Sequence, residues 1–156
     1  MTRILGIDPG LQHTGWGVIQ HSGNQLSYIA SGTIHTQSKA PLAKRLQQLH
    51  EGLEAVVSQH QLNVAAVEET FVNKNAASSL KLGHARGAIM LSLSLAGLEV
   101  HEYSANLVKK SVVGKGHADK NQVAMMVNIL LPAATPDTAD AADALAVAIT
   151  HAHHGK

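Results

Sequence analysis

Cysteine is absent from this 156-residue sequence, and there is no long apolar run. Without cysteine the chain can form no disulfide framework, no thiolate nucleophile and no cysteine-based zinc site. That composition suits a reducing compartment, and we expect a cytoplasmic protein. The longest apolar stretch, residues 87–98, is interrupted by Ser92 and Ser94 and is too short to span a bilayer. Asp8 interrupts the apolar start of the chain, so we expect neither a signal peptide nor a membrane association.

The net charge is only +1 at pH 7, so overall charge gives little evidence about partners. The length predicts one domain over residues 1–156. Seven of the twelve lysines and arginines lie between residues 74 and 120. If four of the eleven acids surround metal ions, the remaining side chains carry a net +5, which favours a modestly basic face for a polyanion. An ordinary solvated surface is the alternative.

Alternation of apolar and polar residues predicts three antiparallel strands, at residues 3–8, about 14–21 and about 26–35. Leucines at three- and four-residue spacing then predict a helix from Pro41 to about His60. The short apolar run 63–67, which ends at Glu68, predicts a buried strand parallel to the first.

The remaining elements are a helix, a strand and three further helices. They are a helix over about 76–96, a strand over 99–104, a short helix through Lys109, a helix opened by a capping box of Asp119 and Gln122, and an alanine-rich helix from Asp137 to about His151. This order predicts an α/β fold with one mixed sheet.

The first strand carries a single carboxylate, Asp8, in an otherwise apolar run. Strand alternation places Ile4, Gly6 and Asp8 on one face, where Gly6 leaves room beside the acid. A buried anion needs a partner, so Asp8 indicates either a functional cluster or an aspartate that starts the turn at Pro9.

Further acids could meet Asp8 at one end of the sheet. Asp140 and Asp143 are three residues apart and share one face of the last helix, while Asp137 fits its N-cap. Glu68 ends the predicted parallel strand next to the first. An all-oxygen cluster of this kind suits Mg²⁺ or Mn²⁺ rather than zinc. Two such ions can activate a water and stabilise the leaving oxygen of a phosphodiester.

Gly83 and Gly87 lie four residues apart on the second long helix. Glycine weakens a helix, so a close approach of another backbone is the expected reason. From these residues alone, that backbone belongs either to the sheet or to a second subunit.

Four segments together resemble the RuvC family of bacterial Holliday-junction endonucleases. They are Gly-Ile-Asp-Pro-Gly at 6–10, Val-Glu-Glu-Thr-Phe at 67–71, residues 75–87 with Leu-Gly-His-Ala-Arg-Gly at 82–87, and Asp-Ala-Ala-Asp-Ala-Leu-Ala at 140–146. The resemblance runs from Ile4 to about His151. Each motif alone is weak, but four in the same order are highly specific.

The resemblance implies a ribonuclease H-like fold, with a five-stranded mixed sheet and helices on both faces. It implies a homodimer that nicks two opposing strands of a four-way junction with Mg²⁺, for which Mn²⁺ can substitute, and with two ions in each active site. The products carry 5′-phosphate and 3′-hydroxyl ends. It also implies a partnership with a branch-migration complex of the RuvA and RuvB type, and it favours the second subunit as the neighbour of Gly83 and Gly87.

The resemblance also assigns roles to individual residues. The catalytic, metal-binding carboxylates are Asp8, Glu68, Asp140 and Asp143; the DNA-binding lysines are Lys109 and Lys120; the base-stacking aromatic is Phe71. Phe71 follows Glu68 closely in a polar stretch where no core needs a ring, and unpaired bases stack on such rings. The alternatives are a loop anchor for Phe71 and a solvated face for the lysines.

Two other functions remain as alternatives. One is a junction-binding module without catalysis, although such a protein would gain by losing negative charge near phosphates. The other is an ATPase of the sugar-kinase or actin type, suggested by Asp8-Pro9-Gly10 with Gly15, but such proteins need two domains and a longer chain. The histidines at 151, 153 and 154 are expected to form a solvated chain end, with metal binding as the alternative.

Overall fold

A computed structural model of the chain describes residues 1–69, 75–114 and 118–155. The elements are β1 Thr2–Asp8, β2 His13–Ser22, β3 Gln25–His35, α1 Leu42–Gln59, β4 Val64–Glu68, α2 Ala76–Leu95, β5 Glu99–Tyr103, α3 Ala105–Val113, α4 Lys120–Leu130 and α5 Ala139–His154. The predicted end of α3 at Lys109 is wrong, because the helix continues to Val113 and is capped by Gly114, whose φ is 98°. Among the described residues, no helix is long and apolar enough to cross a membrane.

The five strands form one mixed sheet in the order β3-β2-β1-β4-β5. The first three strands are antiparallel neighbours, and β4 runs parallel to both β1 and β5. Ile4 pairs with Val64, and Ile7 pairs with Val67. Because β1 and β4 point the same way, Asp8 and Glu68 emerge at the same edge of the sheet, as predicted.

Helices cover both faces of the sheet, which confirms the predicted architecture. On one face, α1 and α2 pack against the side of β1 that carries Leu5 and Ile7. On the other face, α5 lies against the side that carries Ile4, with α3 and α4 outside it. Apolar burial on two faces supplies the main stabilising force for this layered arrangement.

Glycines on β1 and β2 allow α5 to approach the sheet closely. Gly6 pairs with Gly17 across the two strands. A Cβ at Gly6 would clash with the main-chain oxygen of Ala144 and lie 2.7 Å from the Ala148 amide nitrogen, and a Cβ at Gly17 would lie 3.2 Å from the Leu145 amide nitrogen. Only glycine lets the two backbones come this close. The same packing brings the acidic first turn of α5 beside Asp8.

The glycines of α2 do not pack against the sheet. A Cβ at Gly83 or Gly87 would meet no described atom within 4 Å, apart from the backbone of their own helix. Of the two predicted neighbours, the sheet is therefore excluded, and the second subunit stays a prediction. Both glycines instead border an open, mainly apolar groove between α1 and α2, together with Leu46 and Leu91.

Candidate active site

Three aspartates from the two ends of the sequence meet at the end of the central strand. Asp8 ends β1, while Asp140 and Asp143 lie in the first two turns of α5. One carboxylate oxygen from each lies within 4.8 Å of the others. The packing of α5 on β1 brings these distant residues together, so the site depends on that contact.

Glu68 joins this cluster from the neighbouring strand. It is the last residue of β4, and it lies close enough to Asp8 to raise the pKa of that carboxyl group. Asp8, Glu68 and Asp143 line a cavity of about 260 Å³. The structure thus brings together all four acids singled out from the sequence.

Burial and the neighbouring acids raise the proton affinity of Asp8 and Asp143. Burial raises the pKa of Asp8 to about 9, and the charges of Glu68, Asp143 and Asp140 add to the effect. Burial raises the pKa of Asp143 to about 6, against the opposing charge of Lys120. Desolvation and like charges both disfavour the ionised carboxylate. A bound cation would relieve that penalty, and an all-oxygen donor set suits a hard divalent ion.

Two lysines lie beside the acids. Lys109 of α3 and Lys120 at the start of α4 line the same cavity. The Lys120 Nζ lies 3.9 Å from Oδ2 of Asp143, and the lysine side chain is 80% exposed. Lys109 also lowers the pKa of Asp143. Both predicted DNA-binding lysines therefore line the acidic cavity. Phe71 lies outside the described residues.

The start of α5 differs from the sequence prediction. Asp137 is exposed and does not cap the helix. Thr138 is the N-cap, and its Oγ1 accepts a hydrogen bond of 3.0 Å from the Ala141 amide. The same hydroxyl lies 2.7 Å from Oγ1 of Thr33 on β3. The cap therefore also attaches α5 to the sheet, which a solvated Asp137 could not do.

The end of α5 also differs from the prediction of a solvated histidine cluster. The helix continues to His154, and His151 is buried, with 8% of its surface exposed. Nδ1 of His151 lies 2.6 Å from the Tyr103 hydroxyl. His153 and His154 are exposed, as predicted, and Nδ1 of His153 lies 3.0 Å from the Ser111 hydroxyl.

Arg86, for which no role was predicted, contacts the site through the main chain of Glu68. Its Nη1 donates a hydrogen bond of 2.8 Å to the carbonyl oxygen of Glu68. The available signal was an isolated charge within the apolar stretch 85–90, the same kind of signal that identified Asp8.

The mixed sheet, the helices on both faces and the acidic cluster at the central strand define a ribonuclease H-like fold with a candidate metal site. The chain belongs to the RuvC family, because the family model for the crossover junction endodeoxyribonuclease RuvC matches residues 4–151. The protein of that name from Afipia carboxidovorans is 61% identical over 152 residues, which cover 97% of this chain and 89% of the relative.

Solved structures agree with this assignment. The chain superposes on Thermus thermophilus RuvC in complex with a Holliday junction substrate with a TM-score of 0.91 and 33% identity, over 97% of this chain and 93% of that one. The yeast mitochondrial Holliday junction resolvase gives a TM-score of 0.65 at 13% identity, over 97% of this chain and 79% of that one, which shows a shared fold alone. The predicted family and fold class are confirmed.

Proposed function

We propose that the protein is a metal-dependent, structure-selective DNA endonuclease that resolves four-way junctions by paired, symmetric nicks. Membership of the RuvC family supports the nuclease activity. The observation that carries the proposed chemistry is the meeting of Asp8, Asp140 and Asp143, whose carboxylate oxygens lie within 4.8 Å of one another.

The residues proposed to hold the metal and to be catalytic are Asp8, Glu68, Asp140 and Asp143. Their donor atoms are all carboxylate oxygens, which suits two Mg²⁺ ions per site, or Mn²⁺ in their place. When bound, such ions activate a water and stabilise the leaving oxygen of a phosphodiester, which leaves 5′-phosphate and 3′-hydroxyl ends. The raised pKa of Asp8, about 9, supports this role, since the carboxyl group must exchange its proton for a cation.

The two lysines at the cavity are proposed to bind the scissile strand. Lys109 and Lys120 border the acids closely enough to act on the pKa of Asp143. Ammonium groups in this position can neutralise phosphate charge and hold the strand against the cluster. For Phe71, we propose stacking on an unpaired base, by resemblance to the family.

A homodimer would place two such sites on one junction, as two symmetric cuts require. The support is an apolar patch on α2, where Leu80, Leu91 and Leu95 are 63%, 61% and 72% exposed. Contiguous exposed apolar surface marks interaction sites, and Gly83 and Gly87 leave the helix backbone open to a neighbour there. By family resemblance we also propose a RuvA and RuvB type partner complex and a location in the cytoplasm.

A junction-binding module without catalysis is the second candidate, and the acids argue against it. A protein that only binds DNA would gain affinity by losing carboxylates near phosphates. It would also avoid the cost of burying Asp8 beside Glu68.

A nicking assay on a synthetic four-way junction separates these functions. With Mg²⁺ or Mn²⁺, we expect paired nicks on opposing strands from the native protein. Asp140→Asn should fold and bind the junction but should not cleave it. No product with either metal would favour the binding module, and cleavage by the variant would contradict the metal assignment.

A further inference from the structure

We propose that Arg86 is a positioning residue, which orients Glu68 and thereby sets the strength of metal binding at the acidic cluster. The inference rests on the proposed function, since it takes Glu68 as a metal ligand. Arg86 lies on α2, behind the end of β4, and does not line the cavity with the lysines.

The guanidinium group makes two contacts of different kinds. Nη1 donates to the carbonyl oxygen of Glu68 at 2.8 Å, and Nη2 forms an ion pair with the carboxylate of Glu102 on β5. The Arg86 side chain is only 18% exposed. A planar guanidinium held by two partners loses its freedom to rotate, so it fixes whatever it contacts.

Glu68 needs such support because it is the last paired residue of β4. The pairing of β4 with β1 ends at Val67 and Ile7, so Glu68 has no partner in the register with β1. On the other side, Glu68 pairs with Tyr103, and the Glu69 amide donates to the Tyr103 carbonyl at 2.7 Å. The pairing with β5 therefore holds one side of the Glu68 peptide, and Arg86 adds a second anchor from α2.

The role of Arg86 is geometric, whereas that of the lysines is electrostatic. The positive charges that lower the pKa of Asp143 are those of Lys120 and Lys109. Arg86 directs its charge to Glu102 instead. Loss of a residue that orients a metal ligand typically weakens metal binding about 10- to 100-fold. This size of effect is expected for Arg86.

The test compares metal affinity with folding stability in matched variants. Mn²⁺ affinity is measured by titration calorimetry, and unfolding is measured in urea. Arg86→Met keeps the packing of the side-chain stem and should weaken Mn²⁺ binding about 10- to 100-fold. Glu102→Gln leaves the contact between Arg86 and Glu68 in place and should weaken Mn²⁺ binding far less. Lys81→Met removes a charge from an exposed position of α2 and should leave the Mn²⁺ affinity unchanged.

Cleavage supplies an independent readout. The Mg²⁺ concentration for half-maximal nicking should rise by the same factor in Arg86→Met, and saturating Mg²⁺ should restore much of the rate. Native Mn²⁺ affinity in Arg86→Met, with only the stability lowered, would overturn the proposal and leave Arg86 a structural residue.

Two further outcomes are also decisive. If Arg86→Met does not fold, Arg86→Lys decides by the same measurement, since a single ammonium group cannot reproduce both contacts; native affinity in Arg86→Lys would overturn the proposal. If the native protein nicks no junction, the nuclease proposal fails, while the Mn²⁺ affinities still decide the role of Arg86.

Discussion

Replacing Asp8 by asparagine should stabilise the metal-free protein, and the gain should grow with pH. The folded-state pKa of Asp8 is raised from 3.8 to about 9, chiefly by burial and by the neighbouring Glu68. Between these two values the folded state binds a proton that the unfolded state has released. The unfolding free energy of the native protein therefore falls as pH rises through this range.

The size of the effect follows from the same shift. One bound proton changes the unfolding free energy by about 1.4 kcal/mol per pH unit. From pH 3.8 to pH 7 the cumulative loss approaches about 4 kcal/mol, and it is complete near pH 9. Asparagine has nearly the same shape and cannot ionise, so Asp8→Asn escapes this loss. The stability would be gained at the expense of function, as is common at active sites.

Urea unfolding with a chelator at pH 5, 6, 7 and 8 measures the effect. The stability difference between Asp8→Asn and the native protein should widen by about 1.4 kcal/mol with each pH unit. Asp137→Asn, the same change at an exposed position, is the control and should show no such trend. Saturating Mn²⁺ should stabilise the native protein much more than Asp8→Asn. A difference that does not change with pH would refute the assignment of a buried, protonated Asp8.

Three other perturbations test the packing, the DNA contacts and the dimer. Gly6→Ala should lower the unfolding free energy by about 3 kcal/mol or more in urea, because its Cβ would clash with the main-chain carbonyl oxygen of Ala144; native stability would contradict the close packing of α5. Lys109→Ala should slow single-turnover nicking about 100-fold, whereas the exposed neighbour Lys110 should tolerate the same change; equal losses would contradict the proposed role. Leu91→Arg should convert a dimer to a monomer in sedimentation, since a charge would enter the apolar patch; an intact dimer would place the interface elsewhere.

The sheet and its acidic edge were predictable because local patterns determine them. Alternation specified the strands, and the capping box of Asp119 and Gln122 correctly marked the start of α4. A lone carboxylate in an apolar strand is costly, so the position of Asp8 alone pointed to a partner elsewhere in the chain. Glu68 followed from the parallel pairing of β4 with β1.

The errors arose where distant elements compete with local rules. Asp137 is a good local N-cap, but Thr138 prevails because its hydroxyl also contacts Thr33 on β3. A histidine near the chain end is usually solvated, but His151 is buried against Tyr103. Such contacts join residues far apart in sequence, so no single segment encodes them.

Arg86 was missed as a functional residue for a related reason. It contacts the main-chain oxygen of Glu68, and every residue has such an oxygen, so the sequence does not reveal this partner. The neighbour of the α2 glycines was left open between the sheet and a second subunit, because glycine spacing predicts a close neighbour without saying which one. The open space beside Gly83 and Gly87 in the structure shows that these glycines do not contact the sheet and that their surface is open to another chain.

The central claim is that carboxylates far apart in the sequence hold a shared divalent cation, and a crystal soaked in manganese tests it most directly. Anomalous scattering should place manganese within bonding distance, about 2.0–2.2 Å, of oxygens from Asp8, Glu68, Asp140 and Asp143. No manganese at the end of β1, or a Glu68 side chain turned away from the cavity that Asp8 and Asp143 line, would contradict it.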